Sequence, residues 1–407
     1  MAKSGLVGDV PPAANWFERH PRLALVLVLS AAGIILAAST EFALGRIRST
    51  GQSLLGVEPQ GRVLTFREYP VSGRFGAMPA NPREVYPGGL EQRRYWIDID
   101  SNGFLVPSRM HARAALEVVF LGGSTTEGLF VTPERRFPFR VGRMLEDSLG
   151  TSVNSYNGGR SGNVSRHAVL AFLGKVAPMR PKYVILMENI NDLAVLTHIA
   201  DYWSAASPRP FMKQPADAWR EDGGLVRRFK GALRVLLPNR YGALGSAWTR
   251  ATRGEKPVDE FAAVRGKEPP FDLAAAEATF QRGLETFVAV ARIWRTTPVL
   301  MTQANRLTAQ PDPEIAAVWG SPLQGTSYAE FRHRYSRFND VIRRVAKEQG
   351  VPLVDLDRDL TPDRLDMYDA VHYTDRGSER AAAVIARHLR ALEGAQPSSV
   401  PRRDTLR

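Results

Sequence analysis

Apolar and polar positions fall into three regimes along this chain. Leu23 to Ala38 is apolar except for Ser30, and the stretch continues through Ser39, Thr40, Glu41, Phe42 and Ala43 to Leu44. A bilayer-spanning helix needs about 20 such residues, so the run predicts one uncleaved membrane anchor. A cleaved signal peptide is the main rival, but its charged leader would be long and Ala37-Ala38-Ser39 is an imperfect cleavage pattern. A buried helix of a soluble fold is disfavoured because nothing amphipathic relieves the run. Lys3, Arg19 and Arg22 precede the segment and Arg46 and Arg48 follow it, so the positive-inside rule alone does not orient it. The orientation expected is an N-terminus in the cytoplasm with the remainder of the chain outside.

The second regime, from about Arg46 to Ala115, is rich in Gly and Pro with short aromatic patches. Tyr95-Trp96-Ile97-Asp98-Ile99 alternates like a half-buried strand, which predicts a small β-rich extension. Beyond it, short continuous apolar runs alternate with longer helical stretches. Val118–Leu121, Tyr183–Met187, Pro298–Met301 and Pro352–Leu356 have the composition of strands buried on both faces. Strands separated by helices predict an α/β domain: a parallel sheet covered on both sides, with sites at the carboxyl ends of the strands.

Residues 198–272 exceed what such a unit needs and read as an insertion. It holds Tyr202, Trp203, Phe211 and Trp219, then a segment with Leu225, Val226, Phe229, Ala232, Leu233, Leu236 and Leu237 on one helical face and Arg227, Arg228, Lys230 and Arg234 opposite. A basic amphipathic helix of this kind covers a core, lies on a membrane or lines an acyl groove. The expected organisation is therefore a leader and anchor over 1–45, the extension over 46–115, the α/β domain over 116–394 with its insertion, and a disordered tail over 395–407.

Composition narrows the chemistry. A chain that is 44% hydrophobic and 24% charged is globular rather than disordered or polytopic. The absence of cysteine excludes disulfide frameworks, thiolate zinc sites, iron–sulfur clusters and cysteine nucleophiles. A net charge of +12 favours anions: lipid headgroups, acidic polysaccharide, or no specific ligand where the charge reflects only an arginine-rich composition. Nucleic acid is not expected, because no dense basic run or recognition motif occurs. A metal is not expected either, since neither His-x-His nor His-Glu-x-x-His spacing is present.

Gly122-Gly123-Ser124-Thr125-Thr126-Glu127-Gly128 follows the first predicted strand of the sheet. No Lys follows it and Gly-x-Gly-x-x-Gly is absent, which removes the phosphate-binding readings, and Thr126 breaks the nucleophile-elbow pattern Gly-x-Ser-x-Gly. A glycine turn at a strand tip still lets a serine project at the sheet edge, although Ser124 alone would also serve as a helix N-cap. A serine nucleophile needs a held base, and Asp369-Ala370-Val371-His372 offers an imidazole with a carboxylate three residues away, just before a helix capped by Thr374 or Asp375. Between them, Gly162 in Asn157-Gly158-Gly159-Arg160-Ser161-Gly162-Asn163 and Asn191 in Glu188-Asn189-Ile190-Asn191-Asp192 supply the backbone and amide donors that an oxyanion requires. Each segment alone has the chemistry of an ordinary turn.

Taken together, the four segments resemble the SGNH, or GDSL-like, hydrolase family, whose Ser, Gly, Asn and Asp-x-x-His blocks occur in this order. The resemblance spans roughly Glu117 to Leu392, and Ile99–Phe104 looks like the lead-in of membrane-anchored members. It implies a flavodoxin-like three-layer α/β/α fold, with Ser124 as nucleophile, His372 as base and Asp369 orienting it. The Ser124 and Gly162 backbone N–H groups and the Asn191 amide would hold the oxyanion. Gly123 departs from the family's Gly-Asp-Ser, and Asn189 replaces the Gly of Gly-x-Asn-Asp, which places an additional side chain beside the expected oxyanion site.

The expected function is a cofactor-independent serine esterase acting on O-acyl, foremost O-acetyl, esters of cell-envelope or exported polysaccharide. The expected substrate is thus an acylated carbohydrate or lipid ester, and the expected location is a bacterial inner membrane, single-pass, with the catalytic domain extracytoplasmic. A polysaccharide O-acyltransferase with the same triad and a non-catalytic glycan-binding protein are the alternatives.

Overall fold

In a computed structural model, residues 15–48, 63–64, 66–79, 89–204, 207–210, 212–213, 260–261, 264, 266–313, 315 and 326–395 are described. The predicted basic helix of the insertion and the residues after Ala395 lie outside them. The chain divides into two compact units, Met1–Gly61 with Pro215–Glu255, and Arg62–Gln214 with Lys256–Arg407.

In the first unit the described residues form a short helix, α1 (Trp16–Arg19), and a long one, α2 (Pro21–Arg48), opened by a proline at its first position, where no donor is lost. Pro21–Thr40 is long and apolar enough to cross a bilayer, a property that a signal sequence shares. Leu23, Leu25, Val26, Leu29, Ile34 and Leu36 are all exposed, as expected of a helix apolar around its whole circumference.

The second unit is built on five parallel strands: β4 (Leu116–Gly122), β5 (Val153–Asn157), β6 (Tyr183–Met187), β8 (Thr297–Met301) and β9 (Leu353–Val354), in the order β5-β4-β6-β8-β9. Neighbouring strands are in register as Val119↔Tyr156, Val119↔Val184 and Ile185↔Val299. Alternate side chains enter different cores. Val119, Leu121, Val184, Leu186 and Leu300 pack with α5 (Ser165–Ala171), α7 (Leu273–Ile293) and α8 (Tyr328–Gln349). Val118, Phe120, Tyr183, Ile185 and Val299 pack with α4 (Phe137–Leu149) and α9 (Asp375–Ala395). Two buried faces explain the continuous apolar runs, and three layers follow. The order reverses on either side of β4, which places a crevice at the carboxyl ends of β4 and its neighbours.

β5 was not among the predicted strands, because Asn154, Ser155 and Asn157 make it look polar. It is fully buried, and each polar side chain has a specific partner: the Asn154 amide oxygen accepts from the Met110 and His111 N–H groups, and the Ser155 hydroxyl donates to Pro138 O.

The extension contributes β1 (Val63–Leu64), β2 (Arg74–Ala77) and β3 (Tyr95–Asp98); β2 and β3 pair antiparallel with Tyr95 and Ile97 buried, as the alternation predicted. β1 pairs instead with β7 (Met212–Lys213), inside the predicted insertion. Arg136, buried at the start of α4, donates to Trp96 O, Val106 O and Gly128 O and so fastens the extension to the turn after β4. The helix α6 (Ile190–Ile199) continues into the first residues assigned to the insertion, and His198 stacks on Phe261 at 4.7 Å.

Candidate active site

β4 ends at Gly122, and after Gly123 (φ −86°, ψ −152°) the chain turns into the one-turn helix α3 (Ser124–Glu127). Ser124 is therefore the first helical residue and not its cap. A β-carbon on Gly122 would press on Thr126 and on Met187 O at 2.6 Å, so only glycine allows this strand-to-helix turn. His372 Nε2 lies 2.7 Å from Ser124 Oγ, and His372 Nδ1 lies 2.6 Å from Asp369 Oδ2. The other oxygen, Asp369 Oδ1, accepts from the Val371 and His372 N–H groups at 2.9 and 2.8 Å. An ionised carboxylate only accepts, so Nδ1 carries the proton and Nε2 is left as acceptor for the serine hydroxyl. Burial disfavours the Asp369 charge, but His372 and the two backbone donors outweigh it and hold the carboxyl below its usual range. Tyr368 lies parallel to the imidazole, with ring centroids 5.6 Å apart and an interplanar angle of 9°.

The other two predicted segments approach the same turn. Arg160 N donates to Gly122 O, the Asn157 amide donates to Thr126 O and Glu127 O, and Ser161 N donates to the buried Glu127 carboxylate, docking the loop that bears Gly162 against α3. Gly162 has φ +77°, a left-handed conformation that glycine adopts without strain. Asn191 sits in the first turn of α6, and its amide nitrogen occupies the space that a β-carbon on Gly123 would fill. The departure at Gly123 thus has a consequence: it lets the Asn191 amide approach the backbone beside Ser124.

One expectation is corrected. Asn189 does not reach toward the oxyanion side; its buried amide donates to Tyr335 O and Asn339 Oδ1 in α8. Its backbone (φ −162°, ψ −74°) turns the side chain into the sheet–helix layer, where Asn339 Oδ1 accepts from the Gln303 N–H as well. Glu188 lies near Gly123 instead, its Oε2 3.4 Å from where a β-carbon on that glycine would sit. Burial and the neighbouring Asp192 push its carboxyl well above the usual range. Asp192 is itself buried, accepts from Ser165 N, Ser165 Oγ and Tyr202 OH, and is pushed up to about 6 by burial against the pull of those bonds.

The sequence matches the model of the GDSL-like lipase/acylhydrolase family over residues 120–380. The chain belongs to this family. It is accordingly an ester-bond hydrolase, and its parallel sheet with flanking helices is the family's α/β/α fold. No curated protein matches it. Similar solved structures include a lipase/acylhydrolase from Enterococcus faecalis, 15% identical over 68% of this chain and 96% of that one, with a TM-score of 0.38. An α/β hydrolase from the metagenome of Lake Arreo is 18% identical over 71% and 100%, at 0.37. A catalytic mutant of an acetylxylan esterase from Geobacillus stearothermophilus is 14% identical over 70% and 98%, also at 0.37.

Several residues around this GDSL-like site escaped the sequence reading. Gln303 donates to Thr125 Oγ1 at 2.6 Å and accepts from Ile190 N at 3.2 Å, bracing the residues next to Ser124 and Asn191 against each other. Its place just after β8, at a strand's carboxyl end, was the available signal. Arg209 donates through Nη1 to Asn191 Oδ1 at 3.0 Å. A guanidinium only donates, so this bond fixes the amide with its NH₂ group toward Gly123 and Ser124. Nothing in the local sequence marks Arg209, because its partner is 18 positions away in another element.

Proposed function

We propose that the protein is a membrane-tethered serine esterase that removes O-acyl, foremost O-acetyl, groups from cell-envelope or exported polysaccharide. The observation that carries this reading is the hydrogen-bonded line from Asp369 through His372 to Ser124 at a strand tip. Ser124 Oγ attacks the ester carbonyl carbon while His372 Nε2 takes its proton, giving a tetrahedral oxyanion. As the C–O bond breaks, the imidazolium returns the proton to the departing alcohol. Water then attacks the acyl-serine with His372 again as base, and the carboxylic acid leaves with Ser124 restored. Asp369 keeps the imidazole in the correct tautomer throughout.

The Ser124 and Gly162 N–H groups and the Asn191 amide receive the developing negative charge. One preorganised donor is worth about 3 kcal/mol of barrier, so Asn191→Ala is expected to lower kcat on the order of a hundredfold with KM little changed. Unchanged kcat would remove Asn191 from this role. The polysaccharide reading rests on the apolar helix α2 as an inner-membrane anchor, the net charge of +12, and the half-exposed Trp203, which offers a flat apolar face to a sugar ring.

The test is hydrolysis of p-nitrophenyl esters from acetate to octanoate by the full-length protein in detergent micelles. Release that is fastest with acetate supports the reading. Failure of the folded protein to release p-nitrophenol from any of them, together with no labelling by a fluorophosphonate, would overturn it.

A further inference from the structure

Two arginines from outside the α/β scaffold meet at the oxyanion side of the site. Arg67 follows β1 and Arg209 precedes β7, each three residues from a paired position of the two-stranded ladder (Leu64↔Met212) and on the same side of it. Arg67 donates from Nη2 to Ser161 O at 3.1 Å, while Arg209 donates to Asn191 Oδ1. A β-carbon on Gly162 would lie 2.6 Å from Arg67 Nη2 and 3.0 Å from Arg209 Nε. Both guanidinium groups therefore border the two donors assigned to the oxyanion.

The charges there do not balance. Glu260 is shared between the pair, 2.7 Å from Arg209 Nε and 3.5 Å from Arg67 Nη2. Arg160 adds a third guanidinium, 3.6 Å from Glu127, and that carboxylate already accepts from Tyr69 OH and from Ser161 N and Oγ. Glu188 lies in the same region, but its ionised form is disfavoured. Burial lowers the Arg67 pKa, and Arg209 and Arg160 lower it further by repulsion. The Arg67 Nε–H is buried with no acceptor among the described residues. Crowding like charges into a partly desolvated site is unfavourable unless an anion completes it. A guanidinium presents planar, paired donors whose geometry fits carboxylate or phosphate oxygens.

We propose that Arg67 and Arg209 form an anion subsite beside the oxyanion donors, so that the preferred substrate carries a carboxylate or phosphate next to the ester being cleaved. This rests on the esterase reading above and deepens it: within a polysaccharide, the substrate is an acylated acidic sugar. Arg209 has a second task in holding the Asn191 side chain, so Arg67, whose other bond is to the Ser161 backbone, is the residue to replace, with the readout a ratio of two substrates.

The experiment compares matched ester pairs with the full-length protein in detergent micelles, each rate divided by that ester's alkaline hydrolysis rate. 4-Acetoxybenzoate against its methyl ester places the anion on the alcohol side; p-nitrophenyl hemisuccinate against p-nitrophenyl butyrate places it on the acyl side. Wild type is expected to show kcat/KM at least tenfold higher for the anionic member of one pair, which also identifies the side. Arg67→Gln should bring that ratio close to one, and Arg67→Lys should leave it intermediate. Because the readout is a ratio, loss of folded protein moves both members equally and leaves it unchanged. A ratio near one in both pairs for wild type, or a ratio unchanged in Arg67→Gln, overturns the subsite. Should wild type hydrolyse neither pair, the esterase reading is judged separately by the p-nitrophenyl series and the fluorophosphonate. The subsite is then decided by titrating Ser124→Ala with the same four esters: tighter binding of an anionic member that Arg67→Gln removes supports it, and equal binding overturns it.

Discussion

Ser124→Ala is expected to abolish ester hydrolysis, lowering kcat by about 10⁴- to 10⁶-fold while the protein remains folded. The hydroxyl is the sole nucleophile in the hydrogen-bonded line, with its oxygen 2.7 Å from His372 Nε2. Removing it leaves a methyl group at the start of α3, a short helix whose cap is the backbone of Gly123, so no structural hydrogen bond is lost except the one to the base. His372→Ala should have a loss of similar size, because an unassisted serine hydroxyl is a weak nucleophile. A fluorophosphonate probe should label wild type and neither variant. Retention of more than a few per cent of the wild-type rate in folded Ser124→Ala would show that another group attacks.

The second large effect is expected from Asp369→Asn, which keeps the size of the side chain and removes its charge. Asp369 Oδ1 accepts two backbone N–H bonds from Val371 and His372, and an amide oxygen satisfies both, so the loop should keep its shape. The amide NH₂ then faces Nδ1 and donates to it, which forces the proton onto Nε2 and turns the base into a donor toward Ser124. The expected result is a fall in kcat on the order of 10⁴-fold with little change in KM or melting temperature. A loss below about tenfold would mean that another group orients His372. Raising the pH should not restore the activity of Asp369→Asn, since the defect is the position of a proton and not its removal.

Much of this site was legible in the sequence because the chemistry sits at strand tips, and strand tips are marked by where apolar runs end. Ser124 follows one run by three residues and Asn191 follows another by four, so the elements and their functional ends could be read together. Asp369 and His372 were legible for a different reason: their contact is local, made within one turn. Contacts between distant segments were not legible. β5 is buried through hydrogen bonds to Met110, His111 and Pro138, none of which a hydropathy pattern shows. Asn189 was expected beside the oxyanion site because it stands two positions from Asn191, yet the acceptors that capture it belong to a helix some 150 positions later. The arginines that line the site are spread along the chain like any surface charges, and only the fold brings Arg67 and Arg209 to one glycine.

The ladder between β1 and β7 consists of two residue pairs, Val63↔Lys213 and Leu64↔Met212, and joins the extension to the insertion. Neither segment contributes a strand to the five-stranded sheet. Bond-breaking and recognition therefore reside in separable parts of the chain: the nucleophile, its base and the strand tips belong to the five-stranded scaffold, while the arginines beside the site can be exchanged by replacing two loops that meet each other and leave the sheet and its covering helices untouched. Grafting the corresponding pair of loops from another member of the family, both together, is the natural unit of redesign, since either one alone would leave its partner strand unpaired and one arginine without the other.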